Sequence, residues 1–220
     1  MIPDSVNSRE GSDAAFAPVS DVIAEVARGG VVVIVDDEDR ENEGDLVVAA
    51  EFATAEVVNF MITHGRGLVC VSLTPERAAE LGLTPMVQSN ADVHATAFTV
   101  SVDGAPERGV TTGISAHERA RTIQLLLHGT ASDLRSPGHM FPLIARPGGT
   151  LERPGHTEAS VDLARLAGLA PAGVIVEIVG DDGRMLRRDG LVRFARRHGL
   201  LMSTIGALSA HLADDPRVHA

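Results

Sequence analysis

Short runs of Val, Ile and Leu alternate along this chain with stretches of helical period, and that alternation leaves few architectures open. The runs at 31–35, 46–50, 68–73, 98–102, 174–179 and 200–202 have strand length and carry the β-branched residues that suit a pleated surface. Two helices announce their starts between them. Thr74 precedes Pro75, whose ring presets φ for a first helical turn. Ser115 stands three residues before Glu118, the reciprocal capping pair of a helix over 116–128 with Ala116, Ala120, Ile123 and Leu127 on one face. A third stretch, with Ala159, Leu163, Leu166 and Ala167 on one face, meets a stop at Gly168. Strands interleaved with helices in this way predict a layered α/β domain.

A single domain over 18–213 fits a chain of 220 residues, with polar tails at 1–17 and 214–220. Trp and Tyr are absent, so the interior has to be packed from Val, Leu, Ile and Ala. A formal net charge of −11 without any Lys/Arg run excludes a nucleic acid held through its phosphates; a small anion, which needs one or two arginines, stays open. Cys70 is the single cysteine, which rules out an internal disulfide and a cysteine-based zinc site and points to a reducing cytoplasm; the thiol reads as a small core residue. No signal-peptide stretch and no run of about 18 apolar residues occurs, so no membrane partner is expected.

Long polar or Gly-rich segments at 36–44, 85–97, 103–113, 132–142 and 146–157 read as loops, and loops that long are usually functional. The first belongs to a stretch, 36–45, that places seven carboxylates in ten residues between two apolar runs. Their mutual repulsion is costly unless cations offset it, and both a solvated acidic turn and a cation site remain open. A calcium loop is excluded because the twelfth position, counted from Asp39, is Ala50 where a bidentate Glu is required. Magnesium needs one or two carboxylates, which suits a single Glu from this loop and a ligand elsewhere.

A second cluster runs from Gly148 to Glu158 into the next helix. Backbone N–H groups at a helix start, with Arg153 and the Thr157 hydroxyl, form a phosphate cradle beside His156; plain capping by Thr157 with a surface Arg153 is the alternative. Pro137-Gly138-His139 is a turn presenting an imidazole, structural or catalytic. Glu177 interrupts an apolar strand, either at an exposed position or in a dry pocket that raises its pKa toward proton-transfer use; Asp181-Asp182-Gly183 after it is a turn.

Taken together, DDEDRENEGD at 36–45, GVTTGIS at 109–115, SPGHMFPL at 136–143, RPGHTEA at 153–159 and AGVIVEI at 172–178 resemble the 3,4-dihydroxy-2-butanone-4-phosphate synthase family, with the motifs in the family's order. The resemblance implies a three-layer α/β (mixed α+β) domain with a mixed twisted sheet flanked by helices, and a homodimer. It implies conversion of D-ribulose 5-phosphate to L-3,4-dihydroxy-2-butanone 4-phosphate and formate in riboflavin biosynthesis, through enediolate intermediates assisted by Mg²⁺, with Mn²⁺ admissible. By the same resemblance Glu41 and His156 are metal ligands, and His139 and Glu177 are catalytic. Arg40, Glu41, Asp45, Arg153, Pro154, Gly155, His156, Thr157 and Glu177 hold the substrate, with Cys70 a candidate lining residue. One departure is Ser136, preceded by Arg135, where many members carry Arg directly before the Pro-Gly-His turn; it leaves the contact of that Arg open. No zinc-binding cysteines of the GTP cyclohydrolase domain found in bifunctional members are present, so a stand-alone synthase and the first half of a longer protein both fit. Two rivals stand beside this reading: another sugar-phosphate isomerase or lyase using the same metal, and a non-catalytic binding or scaffold paralogue. The intact Glu41, His139, His156 and Glu177 weigh against the second.

Overall fold

The computed structural model describes residues 15–214, so the expected tails at 1–17 and 214–220 lie almost wholly outside the described residues. Seven strands, β1 (Val32–Val35), β2 (Gly44–Ala49), β3 (Cys70–Leu73), β4 (Val102–Gly104), β5 (Leu134–Ile144), β6 (Gly173–Glu177) and β7 (Met202–Thr204), form one mixed sheet in the order β4-β5-β3-β6-β2-β1-β7. Helices α1 (Val19–Ala27), α6 (His156–Leu166) and α8 (Ile205–Ala213) cover one face. Helices α2 (Ala55–His64), α4 (Ala116–His128) and α7 (Arg188–His198) cover the other, while α3 (Pro75–Glu80) and α5 (Gly149–Glu152) are short connectors. The three layers follow from the alternation of side chains along each strand, which gives each helical layer its own apolar cluster to cover. On β1, Val32 and Ile34 join the first cluster and Val33 and Val35 the second, so the strand is buried on both faces.

Local signals act where they were read. The Thr74 and Ser115 hydroxyls accept the N–H groups of Arg77 and Glu118, capping α3 and α4. On α4 the buried residues are Ala120, Thr122, Ile123 and Leu126, so the apolar face is turned by one residue from the expected one and Leu127 packs only partly. Gly168 ends α6 in the left-handed region at φ 76. That helix begins at His156, three residues earlier than its apolar stripe suggests, with Gly155 rather than Thr157 at the N-cap.

Two expectations are corrected. The loop expected at 132–142 contains most of β5, the longest strand. Its turn-forming residues are tolerated because the register jumps, with Met140 opposite Val102 but Arg135 opposite Asp103, leaving 136–139 in a bulge outside the β4 ladder. The strand expected at 98–102 forms as a regular element only from Val102 onward, while Phe98 and Thr99 make single bridges to Leu143 and Pro85.

Candidate active site

The acidic loop between β1 and β2 is organised by its own first residue. Asp36 is buried, and its Oδ1 accepts the N–H of Glu43 at 2.7 Å while Oδ2 accepts the N–H of Glu41 at 2.9 Å and Arg40 Nη1 at 3.0 Å. Asn42 takes the left-handed conformation at φ 55, and Arg187 Nη1 donates to the carbonyls of Glu41 and Asn42 from α7's N-cap. The segment is therefore a loop built at its base around Asp36, with Asp37, Glu38 and Asp39 exposed at its tip. Asp36 was not singled out by sequence reasoning; its position at a strand end offers no signal of a loop-organising role.

From that frame Glu41 reaches a cleft of about 230 Å³ at the end of β2 and β6. Antiparallel pairing puts Asp45 directly opposite Glu177, a like-charge pair that repels. Burial first, then Glu177, Glu41, Glu43 and Asp36, raise the pKa of Asp45 well above the ordinary carboxylate value. Its Oδ1 is buried without a hydrogen-bond partner. Glu177 is half-buried, and its Oε2 accepts the N–H of Leu68 at 2.8 Å, so neither the freely exposed position nor the fully dry pocket describes it. Cys70 lines the same cleft; burial, with Glu177 and Asp45, pushes its pKa well up and keeps it a thiol.

His156 enters the cleft from the first turn of α6. Its Nε2–H donates to the carbonyl of Ile34 on β1 at 3.2 Å, which turns the Nδ1 lone pair toward the carboxylates. Nδ1 lies 3.8 Å from Glu41 Oε2 and 3.9 Å from Asp45 Oδ1. Burial lowers the imidazole pKa to about 4 against the pull of Asp36 and Glu41, so the ring is neutral at pH 7. His156 Nδ1, Glu41 Oε2 and Asp45 Oδ1 thus face one another beyond hydrogen-bond length, with Arg40 Nη1 donating to Glu41 Oε2 from the side, and the space between them suits a small cation. Asp36, Glu41 and His156 can bring one ligand atom each within 4.8 Å of one another. Both Asp36 oxygens already serve the loop, which leaves a carboxylate and a neutral imidazole, donors that suit a small divalent metal.

The opposite wall carries the Arg153-to-Thr157 segment. Arg153 is not a surface residue: Nη1 donates to buried Glu158 at 2.6 Å, Nε to the carbonyl of His94 at 2.9 Å and Nη2 to Thr96 Oγ1 at 3.1 Å. Its charge is matched, and the side chain ties the 85–97 segment to the cleft. Gly155 has no room for a Cβ, which would lie 2.2 Å from Arg153 Nη1. Pro154 is exposed, while Thr157 is buried and lines the cleft beside Arg40.

His139 is not among the residues lining this cleft. Cys70 pairs with Phe141 on one side and Ile175 on the other, so His139 and Glu177 lie at the same end of the sheet with β3 between them. Buried Asp103 holds His139 twice, accepting the backbone N–H at 2.9 Å and ring Nδ1–H at 2.8 Å, which leaves Nε2 as the open lone pair. Sequence reasoning missed Asp103, which is 36 residues away in the chain and carries no local motif. Arg135 donates to the carbonyl of Thr111 and lies 3.8 Å from Asp103, while Ser136 is exposed.

A family model described as 3,4-dihydroxy-2-butanone 4-phosphate synthase matches residues 20–211. The riboflavin biosynthesis protein RibBA of Aquifex aeolicus is 57% identical over 195 residues, covering 88% of this chain and 48% of that protein. The 3,4-dihydroxy-2-butanone 4-phosphate synthase of Photobacterium phosphoreum is 53% identical over 195 residues, covering 88% and 53%. The chain thus spans about half the length of these curated relatives. A solved structure of 3,4-dihydroxy-2-butanone 4-phosphate synthase in complex with two magnesium ions superposes with a TM-score of 0.84 at 48% identity, covering 90% of this chain and 97% of that one.

Proposed function

Because the chain belongs to the 3,4-dihydroxy-2-butanone 4-phosphate synthase family, we propose that it converts D-ribulose 5-phosphate to L-3,4-dihydroxy-2-butanone 4-phosphate and formate, a step of riboflavin biosynthesis. The five-carbon phosphate supplies every atom of both products, so no oxidant, reductant or co-substrate is required. The observation that carries the reading is the convergence of Glu41, His156 Nδ1 and the unpartnered Asp45 Oδ1 on a cleft that also holds Glu177.

Glu41 and His156 would hold the divalent cation, Mg²⁺ or, given the nitrogen ligand, Mn²⁺. When bound there, such an ion supplies Lewis acidity toward vicinal oxygens of the sugar. Asp45 binds the sugar hydroxyls, and its raised pKa lets it donate where the other carboxylates accept. Arg40, the Arg153–Thr157 segment and the start of α6 receive the phosphate end, with Arg153 acting chiefly by holding the 94–96 backbone in place. Glu177 exchanges a substrate carbon's proton through Oε1, the oxygen left open by the Leu68 N–H bond to Oε2. His139, oriented by Asp103, offers Nε2 for a second transfer.

A homodimer is proposed from the family resemblance alone. No helix of the described residues is long and apolar enough to cross a membrane, and a reducing cytoplasm is the proposed location. The test is direct: ribulose 5-phosphate with Mg²⁺ should yield formate, and a different product, or none, would sink the proposal.

A further inference from the structure

Helices α2 and α7 border a second cleft of about 240 Å³, matching the catalytic one in size. Its lining is cationic although the chain is acidic overall: Arg66, Arg193 and Arg197 surround His64 and His198, and Asp181 is the one carboxylate among the lining residues. Asp181 reaches Arg66 at 2.8 Å. Among the described residues, the side chains of Arg193 and Arg197 make no hydrogen bond or ion pair, yet they stand four apart on one helix face, where like charges repel. Beneath them Phe194, His198, His64 and Phe60 form a chain of ring contacts with centroids 4.6, 4.5 and 4.8 Å apart. Burial, and after it the neighbouring His64 and Arg197, lower the pKa of His198. Two guanidinium forks without a partner among the described residues, over an interlocked aromatic floor, supply the paired donors that a phosphate group accepts.

This cleft shares a wall with the catalytic one. Arg66 lines it in the left-handed conformation, φ 72, between Gly65 and Gly67. Gly67 N–H donates to the Glu177 carbonyl, and Leu68 N–H holds Glu177 Oε2. A Cβ on Gly67 would lie 2.3 Å from Glu177 Oε2, so the turn and the carboxylate have no slack between them.

We infer that the basic cleft between α2 and α7 binds a small phosphorylated metabolite of about the substrate's size, and that its occupancy is transmitted through residues 65–68 to Glu177. The second half rests on the proposed role of Glu177; the first does not. Glycerol 3-phosphate is a suitable probe, titrated into the full chain at constant ionic strength with the ring resonances of His64 and His198 as local reporters. Saturable shifts are expected, weakened about ten-fold or more in the Arg193→Ala/Arg197→Ala variant, whose KM for ribulose 5-phosphate should stay within about two-fold of wild type. Shifts that sodium chloride reproduces, or that persist in the variant, overturn the site. Transmission is read in kcat at saturating substrate, because a probe acting only in the catalytic cleft would compete and leave kcat alone. A kcat change of about two-fold or more, absent from the variant, is expected; a constant kcat overturns the transmission. If the protein releases no formate at all, the proposed function fails while the resonance titration still decides the binding.

Discussion

Asp45 and Glu177 face each other across β2 and β6 in the middle of the sheet, whereas His139 stands in the bulge of β5 beside the edge strand β4. The central groups are placed by ladder register and by buried contacts such as the His156 bond to Ile34, so they cannot move apart without opening the sheet. The edge group is 48% exposed and owes its orientation to one residue, Asp103. The two halves should therefore respond differently to perturbation, with electrostatic strain concentrated in the first.

Chelation tests the central half most severely: EDTA should abolish formate release and Mg²⁺ should restore it, and full turnover in EDTA would remove the cation from the proposal. Glu177→Gln keeps the shape of the side chain and its bond to Leu68, so kcat should fall about 10²-fold to 10⁴-fold with KM little changed. At the edge, His139→Gln should cost about 10²-fold in kcat. Asp103→Asn should cost nearly as much by releasing the Nδ1 proton that fixes the tautomer, and the double variant should be no worse than His139→Gln alone. Additive losses in that cycle would break the pairing.

Stability separates the regions further. Folded Asp45 keeps its proton where the unfolded chain has lost it, so the ion-free protein loses stability as pH climbs from the ordinary value of 3.8 through the raised one. Asp45→Asn should therefore raise Tm in EDTA at pH 8 by about 2–4 °C, with the gain vanishing near pH 4. His156 has the opposite slope: held neutral down to about 4, it costs stability as pH falls from 6.5 toward that value. The smallest effect belongs to the outer loop, where Glu38→Gln should change activity by less than about two-fold while Glu41→Gln weakens Mg²⁺ binding severely. Equal losses at the two positions would turn the loop into a diffuse acidic patch.

Much of the fold was legible because its rules are local. The apolar runs of β1, β2 and β6 and the Ser115/Glu118 capping of α4 can be read within one window of sequence. β5 was not, because Pro137, Gly138 and Pro142 speak for a turn and only the jump in its pairing with β4 makes room for them in a strand. At the site, the five motifs marked Glu41, Asp45, Arg153, His156 and Glu177, which the fold brings to one cleft, but the geometry was not readable. That Asp45 opposes Glu177 depends on register, and that Asp103 steers His139 depends on a contact between separate strands. Burial raises the pKa of Asp45, a residue read from the resemblance only as a substrate contact, and nothing local in the sequence signals it.

The Asp45–Glu177 opposition also bears on the order of events as the chain folds. These two residues are separated by more than half of the chain, and β3, β4 and β5 all lie between them in sequence. Closing so large a loop costs entropy that only the completed β2–β6 ladder repays, so this pairing is a late and slow contact. Helices such as α4 and the local turns need no such closure, whereas Asp45 and Glu177 meet only when it is complete. Glu41 and His156, the proposed ion ligands, meet only when α6 docks on β1 and its acidic loop, so ion uptake during refolding would time that docking, a step separable from closure of the β2–β6 ladder.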